Sequence, residues 1–248
     1  MMDRRDLPLV SVLGVSIAIY AFFLFSAVLF PTFDARFVQK ESGLLENFQV
    51  AVVTAALAVA VVAINLEAFA FLPWARAWLA LVIGGLFYIV GEEISWGQQY
   101  FHWATEGWFA IHNDQGETNF HNTSSWFDQK PRAVILVGMI VGGIVHPLVQ
   151  RWRGRGLFNQ PWWWAPTIVA LPSAVLALIA NVPKEIDQLH ILSIRLSAGR
   201  PSEVQELFIY VFMLTYMLSL VQRVAGWDSV FGMSRSRPLN ERTQPRFD

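Results

Sequence analysis

The feature that most constrains this chain is a series of apolar stretches, each about 20 residues long, which is the length that a helix needs to cross a bilayer. The six stretches are 7–30, 44–66, 77–96, 133–150, 162–182 and 203–225. Only 15% of the residues are charged, whereas about 25% are charged in soluble domains. The sequence therefore predicts an all-α integral membrane protein, a bundle of six transmembrane helices with an irregular, polar outer loop.

The arginines predict how these helices are oriented, because cytoplasmic loops carry an excess of Lys and Arg. Arg151, Arg153 and Arg155 lie together between the fourth and fifth stretches. We expect this loop and both termini to be on the cytoplasmic side of an inner membrane. Residues 1–226 then form the transmembrane helical domain, and 227–248, which are polar and rich in arginine, form a flexible cytoplasmic tail.

Charge and cysteine content exclude several classes of function. A net charge of −1 gives no overall attraction to nucleic acid. The chain has no cysteine, which excludes disulfides, thiolate metal sites and a cysteine nucleophile. With the predicted orientation, the polar loops at 31–43, 97–132 and 183–202 all lie on the outer side, so a functional site is expected there.

Glu92 and Glu93 are the first candidates, because carboxylates near a membrane segment are costly and usually have a function. On a continuous helix Glu92, Ser95 and Trp96 share one face, and Glu93 is turned about 100° away. We therefore expect one carboxylate to face the bundle interior and the other to cap a neighbouring element or meet water. The alternative is a helix that ends before Gly91 with both carboxylates solvated.

The segment from Asn113 to Asn122 has a different period. Carboxylate, amide and imidazole groups occur at every second position, and alternate side chains of an extended chain point the same way. These residues are Asn113, Gln115, Glu117, Asn119 and His121. They could cover a polar cavity, or the segment could be a hydrophilic surface loop with local turns.

Further polar residues begin or end the other predicted helices on the same side. Glu46 shares a helical face with Gln49, and Glu206 lies a turn deeper in the sixth stretch than Glu203. Asp187 and His190 are close enough in sequence for the carboxylate to orient the imidazole.

Three motifs resemble an uncharacterised family of bacterial polytopic membrane proteins. They are Glu41-x-Gly-x-x-Glu46, the string GEEISWGQ from Gly91 to Gln98, and Asn113-x-Gln-x-Glu-x-Asn-x-His-Asn122. The resemblance covers residues 40–122. It implies that the matched residues form one site in a bacterial membrane protein, and it supplies no activity, substrate or cofactor.

The first functional hypothesis is a membrane-embedded hydrolase or transferase that acts on a lipid-type substrate. Its proposed catalytic residues are Glu92, Glu93, Glu117 and His121, with Glu93, Glu117 and His121 as ligands of a divalent metal that activates water. The remaining polar cluster would contact the substrate. It comprises Glu46, Gln98, Asn113, Gln115, Asn119, Asn122, Asp187, His190 and Glu206.

Two other functions remain open. One is a non-catalytic accessory or structural subunit of a membrane complex, in which the polar groups satisfy one another through hydrogen bonds. The other is a cation- or proton-coupled transporter with Glu92 or Glu93 as the ion site. A transporter needs polar groups toward both faces, and the sequence shows few in the inner halves of the predicted helices.

Overall fold

In the computed structural model, residues 6–40, 42–70, 72–113, 116–120, 123–157, 164–190 and 199–226 are described, and their regular elements are all helices. Six helices are long and apolar enough to cross a membrane, which confirms the predicted all-α membrane bundle. They are α1 Leu9–Leu29, α2 Leu44–Ile64, α3 Pro73–Glu93, α4 Lys130–Arg153, α5 Ile168–Gln188 and α6 Pro201–Val224.

Short helices fill several connections between these spans. They are Pro31–Phe33, Asp34–Val38, Glu67–Ala70, Ser95–Gly97, Gln98–Phe101 and Gly107–His112. The helical backbone that leads into α4 begins at Ser125. Helix α4 also contains a π-helical stretch at Ile140–Val145.

The helix bounds differ from several of the predicted stretches, and α3, α4 and α5 differ most. Helix α3 ends at Glu93 and not at Trp96, because the backbone of Ser95 and Trp96 is left-handed. Helix α5 begins at Ile168, six residues later than predicted, because Thr167 is extended, and it continues through Pro183 to Gln188.

Helix α6 is the centre of the bundle. In its most apolar stretch 78% of the residues are buried, against 17–33% for the other five spans. It packs mainly against α2 and α5, whose buried residues include Ala56, Ala60 and Ala63 on α2 and Ala174, Ala177 and Ala180 on α5. Small residues let membrane helices approach closely, so these alanines favour the packing of α2 and α5 against α6.

Long-range contacts define the two ends of the bundle. At one end, which we call the polar end, α3 finishes beside the starts of α4 and α6, as the contacts of Glu93 and Arg132 with α6 show. At the opposite end, Asp6 before α1 contacts Thr167 before α5 and Ser219 near the end of α6. The six spans therefore alternate in direction.

Close packing between α4 and α6 gives a first test. A Cβ atom at Gly143 would overlap the ring of Phe212, whereas one at Gly138 on the same helix would meet nothing within 4 Å. Gly143→Ala should lower the stability of the purified protein by about 1–3 kcal/mol, because overpacking forces side chains from their rotamers. Gly138→Ala should be neutral or stabilising, because alanine favours a helix over glycine. Thermal unfolding in detergent measures both, and equal effects would contradict this packing.

Candidate functional site

The GEEISWGQ string folds as a reversal of the chain at the end of α3. Ser95, Trp96 and Gly97 have φ values of 47°, 55° and 105°, a run of three left-handed residues of which only one is glycine. Such conformations cost about 1–3 kcal/mol for a non-glycine residue and persist only where surrounding contacts hold them. The contacts of Glu92 and Trp96 supply part of that stabilisation.

Trp96 folds back onto the last turn of α3. Its indole Nε1 donates to Glu92 Oε1 at 2.7 Å. A Cβ atom at Gly91 would lie 2.9 Å from the Trp96 ring, so only glycine leaves room for the indole there. Gly91, Glu92 and Trp96 thus form one local unit that closes the helix end.

The loop that follows is docked on this reversal through its backbone. Phe120 N–H donates to Glu92 Oε2 at 2.7 Å, and Thr118 N–H donates to Gln98 Oε1 at 2.6 Å. Both carboxylate oxygens of Glu92 therefore accept hydrogen bonds, and the side chain is buried. This use of Glu92 orders the loop against the end of α3.

Buried amides complete this group. Asn119, which is fully buried, donates from Nδ2 to Ser95 Oγ at 3.1 Å and to Glu117 Oε2 at 2.6 Å. Asn113 Nδ2 donates to Asn119 Oδ1 at 2.9 Å, and Asn113 Oδ1 accepts from Glu117 N–H at 3.1 Å. We call the set Glu92, Ser95, Gln98, Asn113, Glu117 and Asn119 the loop network.

Glu93 takes part in a second group within the bundle. Its Oε1 lies 2.6 Å from the Tyr210 hydroxyl oxygen, which also lies 3.0 Å from Glu206 Oε1. On the far side, Arg132 Nη2 donates to Glu206 Oε2 at 2.6 Å. Helices α3, α4 and α6 thus contribute the four side chains Glu93, Arg132, Glu206 and Tyr210, which we call the tyrosine-bridged site.

The number of protons on Tyr210 and its two carboxyl neighbours limits which hydrogen bonds this site can form. A tyrosine hydroxyl has one proton and an ionised carboxylate has none, so Tyr210 can donate to only one of its two carboxylate neighbours. Both short contacts are hydrogen bonds only when one carboxyl is protonated and donates to the hydroxyl oxygen. Because pairing with Arg132 favours the ionised form of Glu206, we predict that the proton lies on Glu93 and that Tyr210 donates to Glu206.

A third group at the polar end ties α2 to α6. The Arg200 guanidinium pairs with Glu46 and, at 3.2 Å, with Glu203. Glu46 Oε2 also accepts from Ser42 N–H at 2.6 Å, and the buried Gln49 donates to the Glu203 carbonyl at 2.9 Å. Glu46 thus connects the starts of two helices.

The sequence predicted that the candidate residues form one pocket, whereas in the structure they lie in separate groups. Glu92, Gln98, Asn113, Glu117 and Asn119 share the loop network, whereas Glu93 and Glu206 share the tyrosine-bridged site. The loop is not extended throughout, because Gly116 N–H donates to the Asn113 carbonyl in a turn. His190 is exposed, and its backbone N–H donates to the Asp187 carbonyl at 3.2 Å.

The metal hypothesis stays a prediction. Gln115, His121 and Asn122 lie outside the described residues, as does Glu41 of the first motif. Within the described part of the chain, no three acidic or histidine side chains are grouped so that they could hold a metal ion. Glu93 and Glu117, two of the three proposed ligands, belong to different groups.

Sequence reasoning missed Tyr210 and the partners of Glu206. The signal was the spacing of Glu203, Glu206 and Tyr210, which places three polar groups on one face of an apolar helix. Arg132 was not singled out, because its pairing with a residue 74 positions later is a property of the tertiary fold.

A polar cluster at the opposite end was also missed. Asp6 accepts hydrogen bonds from Thr167 Oγ1 and Ser219 Oγ, both at 2.6 Å. The buried Arg223 donates from Nε to the Ser219 carbonyl at 3.2 Å and lies 3.9 Å from Asp6 Oδ2. Ser219 and Arg223 are four apart on α6, and this spacing was the available signal. The cluster joins the chain before α1 to α5 and α6.

Comparisons of the chain with protein-family models, with curated proteins and with solved structures found no match. Function is therefore inferred from the side chains themselves.

The proton assignment gives a second test. Glu93→Gln should leave stability within about 0.5 kcal/mol of the parent, because the amide can donate to the Tyr210 oxygen as a protonated carboxyl does. Glu206→Gln should cost about 1–3 kcal/mol, because it removes the charged acceptor of Arg132. Thermal unfolding of the two variants distinguishes the carboxyls, and the reverse order of stability would place the proton on Glu206.

The loop network gives a third test. Asn119→Ala should cost about 1–3 kcal/mol, because it leaves buried partners such as Asn113 without their hydrogen bonds. It should also speed proteolysis between α3 and α4, because the loop loses its attachment. Asn65→Ala is the matched control, since Asn65 is exposed at the opposite end and its side-chain amide donates only to the Val61 carbonyl among described contacts. Equal proteolysis of the two variants would refute the attachment.

Proposed function

We propose that this protein is a membrane-embedded hydrolase or transferase that acts on a lipid-type substrate, with the tyrosine-bridged site as its acid–base centre. The observation that carries the proposal is the Tyr210 hydroxyl between the carboxyls of Glu93 and Glu206, with Arg132 on the far side of Glu206. Ionisable groups inside a membrane helix bundle are costly and generally mark a functional site.

Each residue of the site has a distinct chemical role in this proposal. Glu93 gives its proton to the leaving group of the substrate, and as a carboxylate it then takes a proton from the attacking water or alcohol. Tyr210 hydrogen-bonds to both carboxyls and so connects Glu93 to Glu206 for proton transfer. Arg132 stabilises the negative charge of the Glu206 carboxylate.

Accessibility supports a reaction at this end of the bundle. Glu93 is half-buried, and the side chains of Glu206 and Arg132 keep 17% and 28% of their surface exposed. Tyr210 is buried beneath them on the central helix. A substrate can therefore reach the carboxyl of Glu93 while the bridge itself stays shielded from bulk water.

The loop network has a supporting role in the proposal. Both oxygens of Glu92 and one oxygen of Glu117 accept hydrogen bonds within the loop network. Glu92 and Glu117, which the sequence suggested as catalytic, are in this view positioning residues. They hold the reversal after α3 and thereby fix the neighbouring Glu93.

The location completes the proposal. We place the protein in the bacterial inner membrane with the polar end outside, since Arg151 and Arg153 lie at the other end of α4 and favour the cytoplasm. A divalent metal held by Glu93, Glu117 and His121 remains a separate hypothesis, and elemental analysis of the purified protein tests it.

One observation favours a second candidate, a proton-coupled transporter. The central helix α6 carries polar groups toward both ends, with Glu206 and Tyr210 at one and Ser219 and Arg223 at the other. Of the intervening residues 211–218, Thr215 and Tyr216 also carry hydroxyl groups. Proton flux into vesicles that is lost in Glu93→Gln, without any change in the lipids, would select this candidate over the enzyme.

The enzyme proposal is tested by lipid turnover. Vesicles of phosphatidylethanolamine, phosphatidylglycerol and cardiolipin that contain the parent protein should accumulate new lipid products, which mass spectrometry detects. Glu93→Gln and Tyr210→Phe should reduce the rate about 10²–10⁴-fold, the range typical of a general acid or base. Glu67→Gln, which alters an exposed carboxylate between α2 and α3, should retain the parent rate. An unchanged lipid composition with the parent, or full activity of Glu93→Gln, would contradict the proposal.

A further inference from the structure

The chain between α3 and the docked loop exposes an unusual number of large apolar side chains. We call residues 98–112 the aromatic segment. It consists of the short helices Gln98–Phe101 and Gly107–His112, joined through His102, whose backbone is left-handed. Phe101 and Ile111 are 77% and 79% exposed, and Tyr100, Trp103 and Trp108 are also exposed.

Two polar side chains of the aromatic segment, Gln98 and Thr105, form hydrogen bonds within the segment and with the neighbouring Gly116. Gln98 Nε2 donates to the Trp103 carbonyl at 3.0 Å and to Thr105 Oγ1 at 2.7 Å, and the Thr105 hydroxyl donates to the Gly116 carbonyl. The ring of Phe109 packs edge-on against Phe120 of the docked loop, with centroids 5.1 Å apart. These contacts attach the segment to the docked loop, while the side chains of Phe101 and Ile111 remain exposed.

The charge pattern is equally unlike that of a loop in water. Glu106 is the one charged side chain in the aromatic segment, and residues 77–129 contain no lysine or arginine. An outward surface of aromatic rings with internal polar groups suits the boundary between lipid and water.

The length of α3 determines how deep in the membrane the aromatic segment lies. Its 21 residues span about 31 Å, close to the thickness of the hydrocarbon layer, which is about 30 Å. Leu81 and Phe87 on α3 are exposed, and the Phe87 ring packs against Trp96, which shortly precedes the aromatic segment. The chain that follows Glu93 therefore emerges at headgroup level, where Trp and Tyr side chains are favoured.

We infer that the aromatic segment lies in the membrane interface, with Phe101 and Ile111 inserted among the lipid headgroups and upper acyl chains. The occupant of this surface is the bilayer and not a protein partner. The inference rests on the exposed face and on the helix length, so it stands whether or not the protein is an enzyme.

Because the chain has no native cysteine, a thiol-reactive label can be attached at one introduced cysteine alone. Single cysteines at Phe101 and Ile111 are labelled with a polarity-sensitive fluorophore, and the protein is reconstituted in vesicles of phosphatidylcholine and phosphatidylglycerol. Cysteines at Leu81, exposed on α3, and at Glu67, exposed in the loop before it, are the references for lipid and water. Each variant must elute like the parent on gel filtration before it is used.

Labels at 101 and 111 should be quenched by lipids brominated just below the headgroup. They should also be several-fold less accessible than a label at 67 to iodide present on both sides of the membrane. Iodide quenching equal to that at 67 would show a water-facing loop and overturn the inference. Protection from iodide without quenching by brominated lipid would show a protein contact and would overturn it as well.

Discussion

The burial of α6 is the constraint on which the rest of the structure depends. A central helix in a membrane bundle touches neighbours on every side, so any polar residue on it must find a partner within the protein. Glu206 and Tyr210 find theirs on α3 and α4, and Arg223 finds one before α1. Buried alanines on α2 and α5 favour this burial, because small residues let these helices approach α6 closely. Packing and polar pairing are therefore two consequences of one central helix.

Two adjacent glutamates serve different parts of the molecule because they lie at the end of a helix. Glu92 turns toward the reversal and accepts from Trp96 and Phe120, whereas Glu93 turns toward α6 and meets Tyr210. The offset of about 100° between neighbouring residues makes this division unavoidable. The two groups are thereby coupled, because the hydrogen bonds that hold Glu92 also fix the backbone from which Glu93 projects. A substitution that detaches the loop should consequently shift Glu93 and so alter the tyrosine-bridged site, although the substituted residue does not contact that site.

The sequence predicts the helices well because a span of hydrocarbon imposes its length directly on the chain. It predicts their ends less well where the decisive residue carries no breaker signal: nothing in Ser95 or Trp96 announces a left-handed backbone, which the packing of Trp96 on Gly91 stabilises. The sequence singled out Glu93 and Glu206 because carboxylates in apolar runs are conspicuous. Tyr210 was not singled out, because an aromatic residue in a membrane helix is ordinary until its hydroxyl has two acidic neighbours. Such pairings across the bundle belong to the tertiary fold.

The two ends of the bundle differ in a way that bears on mechanism. At the opposite end, Asp6 and the fully buried Arg223 side chain are drawn together with two hydroxyl groups, so the polar groups there are directed at one another. At the polar end, Glu93, Arg132 and Glu206 keep part of their surface exposed beside a reversal held in a strained backbone. A site open on one side suits chemistry on a molecule that arrives from the membrane boundary, because the product can leave by the same route. A transporter with these residues would instead have to separate Asp6 from Arg223 in every cycle, although the Arg223 side chain is fully buried.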